Sequence, residues 1–130
     1  MQIVSARISM LHLEDDPSDA YLTQRALLHS GLSIAITHVT SRDEFVAALD
    51  AQRWDVVVSD NAVPSFTCRE ALEIVRNGYP HTPFIILSGA ADPTEVSKRF
   101  HEGATDYVLK DHLPQLAIAI RRTVPLITDG

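Results

Sequence analysis

Three consecutive valines, Val56 to Val58, run straight into Ser59-Asp60-Asn61, with Pro64 close behind. An apolar run without polar alternation suits a strand covered on both faces, which places it inside a sheet. The polar triplet ends the run abruptly, and Pro64 lacks the N–H that a further ladder bond would need. The stretch Trp54 to Pro64 therefore delivers a carboxylate, Asp60, at the carboxyl end of a central strand. In an open parallel α/β sheet that edge is where ligands and chemistry collect.

The rest of the chain repeats this strand-then-helix pattern around it. Ile8 to Leu13 reads as a first strand, followed by the acidic cluster Glu14-Asp15-Asp16. Asp16 suits an N-cap, Pro17 the first helical position and Asp19 the acidic first turn. Leu22 with Ala26 and Thr23 with Leu27 predict the inward stripe of that helix, and Gly31 its C′ stop. Ser33 to Val39 is a second strand whose alternation suggests a sheet edge. Ser41 to Glu44 is a capping box, and Phe45, Ala48 and Leu49 mark the buried face of the second helix. After the valine strand, Thr67 to Glu70 is another capping box, leading into a helix with Ala71, Leu72 and Val75 inward and an end at Gly78. Pro83 to Leu87 is a fourth strand, apolar on both faces, ending in Ser88-Gly89. Asp92-Pro93-Thr94-Glu95 opens a fourth helix with Val96 and Phe100 inward, closed by Gly103. Tyr107 to Leu109 is a short fifth strand ending at Lys110. Leu113, Leu116, Ala117 and Ile120 line a fifth helix whose last turn carries Arg121 and Arg122.

Five strand–helix units with short connections predict an α/β fold, a parallel sheet covered by helices on both faces. The two most apolar strands belong inside and the second and fifth at the edges, which fits the order 2-1-3-4-5. One domain accounts for all 130 residues, with a core from about 7 to 123 and a tail or linker over 124–130.

Composition narrows the function. Eleven Lys and Arg against seventeen Asp and Glu give a formal charge of −6, which disfavours nucleic acid as a partner of this domain. No apolar run approaches the roughly 20 residues that span a bilayer, and the N-terminus lacks the features of a secretory signal. Cys68 is the single cysteine, so there is no disulfide framework or thiolate metal cluster. These points predict a cytoplasmic protein without membrane attachment. The six histidines show no metal-ligand spacing and read as structural or surface residues.

The polar residues at the strand ends are Glu14 and Asp15, Asp60, Ser88 and Lys110. In the proposed strand order they converge on one crevice. Three carboxylates at close quarters repel unless a cation joins them or one takes a proton. Magnesium (or manganese) fits, because it accepts one or two carboxylates, waters and a phosphate oxygen. Ser88 offers a hydroxyl donor, and Lys110 a compact positive charge for a phosphoryl oxygen. The set reads as a magnesium-assisted phosphoryl-transfer site with an aspartate nucleophile.

Taken together, LEDD at Leu13–Asp16, DVVVSDNAVP at Asp55–Pro64, FIILSG at Phe84–Gly89 and GATDYVLK at Gly103–Lys110 resemble the receiver domain of two-component response regulators. The pieces follow the family's order from about Ile8 to about Thr123. The resemblance implies a flavodoxin-like doubly wound (βα)5 fold and a phosphoacceptor signalling switch of a phosphorelay rather than an enzyme. It implies that Asp60 takes a phosphoryl group from a histidine kinase or a histidine phosphotransfer protein. Asp15 matches the direct magnesium ligand, Glu14 its water-mediated partner, and the Ala62 carbonyl the backbone ligand. Ser88 matches the switch hydroxyl, Tyr107 the aromatic that reports its movement, and Lys110 the phosphoryl-contacting lysine. The face built by the fourth helix, fifth strand and fifth helix would carry the signal to a downstream protein or covalently linked domain. Dimerisation through helices four and five is common in that family, and nothing in this sequence demands it.

Asp111 departs from the pattern, because proline, often in a cis peptide, usually follows the lysine. A cis bond is then not expected, and Asp111 is placed to cap the fifth helix. Lys110-Asp111 resembles receivers of hybrid kinases and multidomain sensors. Ala62 and Ala90 stand where polar side chains often orient the attacking water, which implies slow to moderate self-dephosphorylation. Three other readings are weaker. A haloacid-dehalogenase-type phosphatase needs a second aspartate where Ala62 stands. A pseudo-receiver that docks without being phosphorylated typically lacks one of the acidic, acceptor or lysine positions. A flavin module needs a phosphate-cradling loop after the first strand.

Overall fold

The computed structural model describes residues 7–61, 63, 66–90 and 92–124. Ala62, Pro64 and the tail from Pro125 onward lie outside them. Five strands alternate with five helices: β1 Ile8–Leu13, α1 Pro17–His29, β2 Ile34–Val39, α2 Arg42–Ala51, β3 Val56–Asp60, α3 Cys68–Gly78, β4 Phe84–Ser88, α4 Pro93–His101, β5 Asp106–Leu109 and α5 Pro114–Thr123. All pairings are parallel and the order is β2-β1-β3-β4-β5. The valine strand is central, and every residue of β3 and β4 is buried.

The period-two geometry of the strands splits the core into two layers. Leu11, Leu13, Val57, Phe84 and Ile86 face one side, against Phe45 and Leu49 of α2 and Ala71, Leu72 and Val75 of α3. Met10, Val56, Val58, Ile85 and Leu87 face the other, against Leu27 of α1 and Leu116, Ala117 and Ile120 of α5. This double covering is why β3 and β4 carry no polar residue until their last positions.

Helix starts follow the capping chemistry. Asp16 accepts from the N–H groups of Ser18 and Asp19, and Asp92 from that of Thr94. Thr67 and Glu70 form a reciprocal box. The box at Ser41 is only half made: Ser41 accepts from the Glu44 N–H, but the Glu44 carboxylate reaches past it to the Thr40 N–H and hydroxyl. Gly31 and Gly103 take positive φ after α1 and α4, as stop residues should.

Three side-chain expectations are corrected. Leu22 is 49% exposed, and the buried stripe of α1 is Ala20, Thr23 and Leu27, because residues three and four apart share a helix face and Leu27 sets that face against the core. Phe100 is 43% exposed, and α4 has no buried residue, since it lies over the sheet without entering either core layer. Asp111 does not cap α5. It sits exposed in a 3-10 turn, Lys110–His112, that leads into the helix through Leu113 with no side-chain cap. No cis peptide occurs among the described residues.

Candidate functional site

Strand register sets the site. Leu13 pairs with Ser59, Asp60 with Leu87, and Ser88 with Leu109, so β1, β3, β4 and the edge strand β5 end almost level. The residue at or just past each end is Glu14, Asp60, Ser88 or Lys110. Oxygens of Glu14, Asp15 and Asp60 all lie within 4.8 Å of one another. Glu14 and Asp60 are buried, whereas Asp15 is exposed. Lys110 Nζ lies 3.1 Å from Asp60 Oδ1 and 3.1 Å from Glu14 Oε1. Its shortest contact, 2.7 Å, is to Asp19 Oδ2 in the first turn of α1.

The electrostatics follow from that crowding. Burial, with a hydrogen bond to Asp60 adding to it, pushes the Glu14 carboxyl up to about 7. Buried carboxyls beside another carboxylate favour sharing a proton or a cation. For Lys110 burial works against the charged form, but the bonds to Asp19 and Glu14 and the Asp60 charge outweigh it, so the ammonium is held above its usual range. The Lys110 ammonium meets three carboxylates, Glu14, Asp19 and Asp60, with Asp15 beside Glu14 and Asp60, and carboxyl oxygens are hard donors of the kind a small divalent cation takes. The residues present therefore fit such an ion. The Ala62 carbonyl, expected as a further ligand, lies outside the described residues.

Below the crevice, His12 on β1 is buried, with neither ring nitrogen hydrogen-bonded. Burial first, then neighbouring His38, lowers its pKa to about 3, so it stands neutral in the core. His38 places Nε2 against the Glu14 carbonyl oxygen, where a proton on that nitrogen is donated.

The opposite wall is built of hydrogen bonds. Ser88 Oγ donates to the Ala90 carbonyl at 2.8 Å. The Tyr107 hydroxyl lies 3.3 Å from the same carbonyl and 3.2 Å from Glu95 Oε1. Asn61, directly after Asp60, donates Nδ2 to Glu95 Oε1 at 2.8 Å and accepts from Cys68 Sγ at 3.0 Å. Cys68 is buried, and burial pushes its thiol up to about 11, which fits an inert donor. A cleft of about 530 Å³ lined by Trp54, Asp55, Tyr79, His81 and Val124 lies at the other end of the sheet, and none of the strand-end residues lines it.

The structure thus brings together Glu14, Asp15, Asp60 and Lys110, and places Ser88, at the end of β4, and Tyr107, on β5, where both reach the Ala90 carbonyl. Sequence reasoning missed Asp19, Asn61 and Glu95 as neighbours of the site. Asp19 and Glu95 carried only the signal of first-turn acids, and Asn61 that of a strand terminator.

The response regulator receiver domain family matches residues 10–121. The chain belongs to that family, the receiver domains of two-component systems. It is 30% identical over 108 residues to the DNA-binding transcriptional regulator NtrC of Klebsiella pneumoniae, a match spanning 83% of this chain and 23% of that protein. It is 30% identical over 104 residues to the two-component response regulator ORR13 of Oryza sativa subsp. japonica, spanning 78% of this chain and 84% of that one. The phosphorylated cyanobacterial phytochrome response regulator RcpA shares the fold, with a TM-score of 0.78 at 21% identity over 95% of this chain and all (100%) of that one. The chain therefore spans about a quarter of the NtrC regulators it matches. Among the described residues, no helix is long and apolar enough to cross a membrane.

Proposed function

We propose that the domain is a phosphoacceptor switch in which Asp60 takes a phosphoryl group from a phosphohistidine of a kinase or phosphotransfer protein. The observation that carries this reading is the Lys110 ammonium, 3.1 Å from both Asp60 and Glu14, at a strand edge where three carboxylates converge. An Asp60 oxygen attacks phosphorus, the P–N bond breaks, and its electron pair leaves with the imidazole. Lys110 balances charge on the phosphoryl oxygens, and Ser88 donates its hydroxyl to one of them. Glu14, Asp15 and Asp60 are the residues that would hold magnesium or manganese, which supplies charge neutralisation at the phosphoryl oxygens. Asp60 then carries roughly one further negative charge and new acceptors, which alters the neighbouring Ser88–Tyr107 wall and so the face of α4, β5 and α5. A downstream protein or linked domain that prefers one state of that face reads the signal. The domain assists only its own phosphorylation and dephosphorylation.

The test is intact mass after incubation with magnesium and acetyl phosphate, beside Asp60→Asn. A gain of one phosphoryl mass, lost on substitution and on chelation, is the expected result. If neither acetyl phosphate nor magnesium with beryllofluoride engages the wild type, the domain is a docking module instead. The alanines at 62 and 90 lead to a slow to moderate loss of the phosphoryl mass. A half-life as short as that of fast chemotaxis receivers would refute that expectation.

A further inference from the structure

We propose that Glu95, in the first turn of α4, is a positioning residue that holds Asn61 and Tyr107 on one carboxylate oxygen and so fixes the resting state of the switch. This rests on Asp60 being the acceptor. The amide of Asn61 and the phenol of Tyr107 come from β3 and β5, on either side of β4, and meet at Glu95 Oε1. Orientation of the amide is unambiguous, because a carboxylate only accepts and a thiol is the donor on its other side. The Asn61 backbone is fixed too, its N–H donating to the Leu87 carbonyl at 3.0 Å. Since α4 buries none of its residues in the core, polar bonds at this end tie it to the sheet.

The geometry also gives the way the brace lets go. Tyr107 has one hydroxyl proton and two acceptors at nearly equal distance, Glu95 and the Ala90 carbonyl. At rest the charged carboxylate is the stronger acceptor, and Ser88 already donates to Ala90. When Ser88 turns its hydroxyl to a phosphoryl oxygen on Asp60, the Ala90 carbonyl loses that donor. Tyr107 then supplies the replacement and releases Glu95, leaving α4 held there by Asn61 alone. Burial first, with Glu95 adding to it against an opposing contact from Ser88, holds the Tyr107 phenol above its usual range, so it remains a donor at neutral pH.

The experiment titrates beryllofluoride with magnesium into the full chain by calorimetry and reads Tyr107 by fluorine NMR of 3-fluorotyrosine protein, with Tyr107→Phe assigning the signal. Glu95→Ala removes a contact made only at rest. It should bind beryllofluoride about tenfold more tightly, the worth of one hydrogen bond to a charged group. Its unloaded Tyr107 resonance should lie towards that of the loaded wild type. Glu95→Gln keeps an acceptor oxygen and should restore much of the wild-type behaviour. Glu95→Ala combined with Tyr107→Phe should bind no more tightly than Glu95→Ala alone. Unchanged affinity, a Tyr107 signal that stays put, or additive effects of the two substitutions each overturn the brace. If affinity rises while the signal stays put, only charge repulsion was relieved. Should the wild type bind no beryllofluoride, the phosphoacceptor reading fails, and the unloaded fluorine signal still decides whether Glu95 positions Tyr107.

Discussion

Helices α3 and α4 begin with the same kind of sequence and end with different fates. Each has an N-cap side chain and an acid in its first turn. Yet α3 buries Cys68, Ala71, Leu72 and Val75, whereas α4 buries nothing. Capping decides where a helix starts, and apolar burial decides how firmly it is held. The difference is what a switch needs. In the proposed switch, the helix tied by core packing would stay still, and the one tied by exchangeable polar bonds, including Glu95, would respond. The two are also linked to each other. Arg76 of α3 donates to the Gly103 carbonyl at 2.9 Å and to the Thr82 carbonyl at 2.7 Å, and Arg69 pairs with Glu102 at 3.4 Å.

The strongest way to break the comparison is to truncate each helix's large apolar residue. Leu72→Ala, 1% exposed, should cost about 2–5 kcal/mol by the loss of burial and the cavity left behind. Urea unfolding measures it, and a cost near zero would mean that α3 is not the anchored helix. A pH series tests the same anchoring at its first residue. The Cys68 thiol rises from 9.0 to about 11 on folding. A raised folded pKa contributes stability in full below pH 9, and that contribution is lost as pH climbs to about 11. Over that window the wild type should lose roughly 2–3 kcal/mol more than Cys68→Ala.

Gly103→Ala attacks the joint between the helices. Its φ is +114°, and an added Cβ would sit 2.9 Å from Arg76 Nε, so strain and the displaced guanidinium should cost about 1–3 kcal/mol. The caps sharpen the contrast at smaller cost. Thr67→Ala and Asp92→Ala should each remove about 1 kcal/mol. By hydrogen exchange, Asp92→Ala should loosen α4 alone, while Thr67→Ala should lower protection across α3 and the layer beneath it. The smallest effect belongs to Phe100→Ala, within about 0.5 kcal/mol, because the ring is exposed at rest. If its loss proved as costly as that of Leu72, α4 would be as firmly held as α3.

Much of this was legible along the chain. Continuous apolar runs announced β3 and β4, and the terminators Asp60 and Ser88 marked their level ends. Caps at Asp16, Thr67 and Asp92 were read correctly because capping is local chemistry. The inward faces of α1 and α4 were misread at Leu22 and Phe100, since hydrophobicity does not say which side of a short helix meets the sheet. Asp111 was misplaced because a 3-10 turn intervened before α5. Asp19 and Glu95 could not be found at all as site neighbours, since the partners that give them meaning, Lys110 and Tyr107, lie far along the chain.

The sequence by itself determined the alternation of elements, the parallel sheet and the presence of an acidic cluster at the strand ends. Those follow from periodicity, caps and residue chemistry at strand ends, which act over a few neighbours. Only the tertiary structure decided which carboxylate holds the lysine most closely, which helix is anchored, and that one oxygen of Glu95 joins two strands. Such choices depend on distances between residues remote in sequence, and packing in three dimensions is what sets those distances.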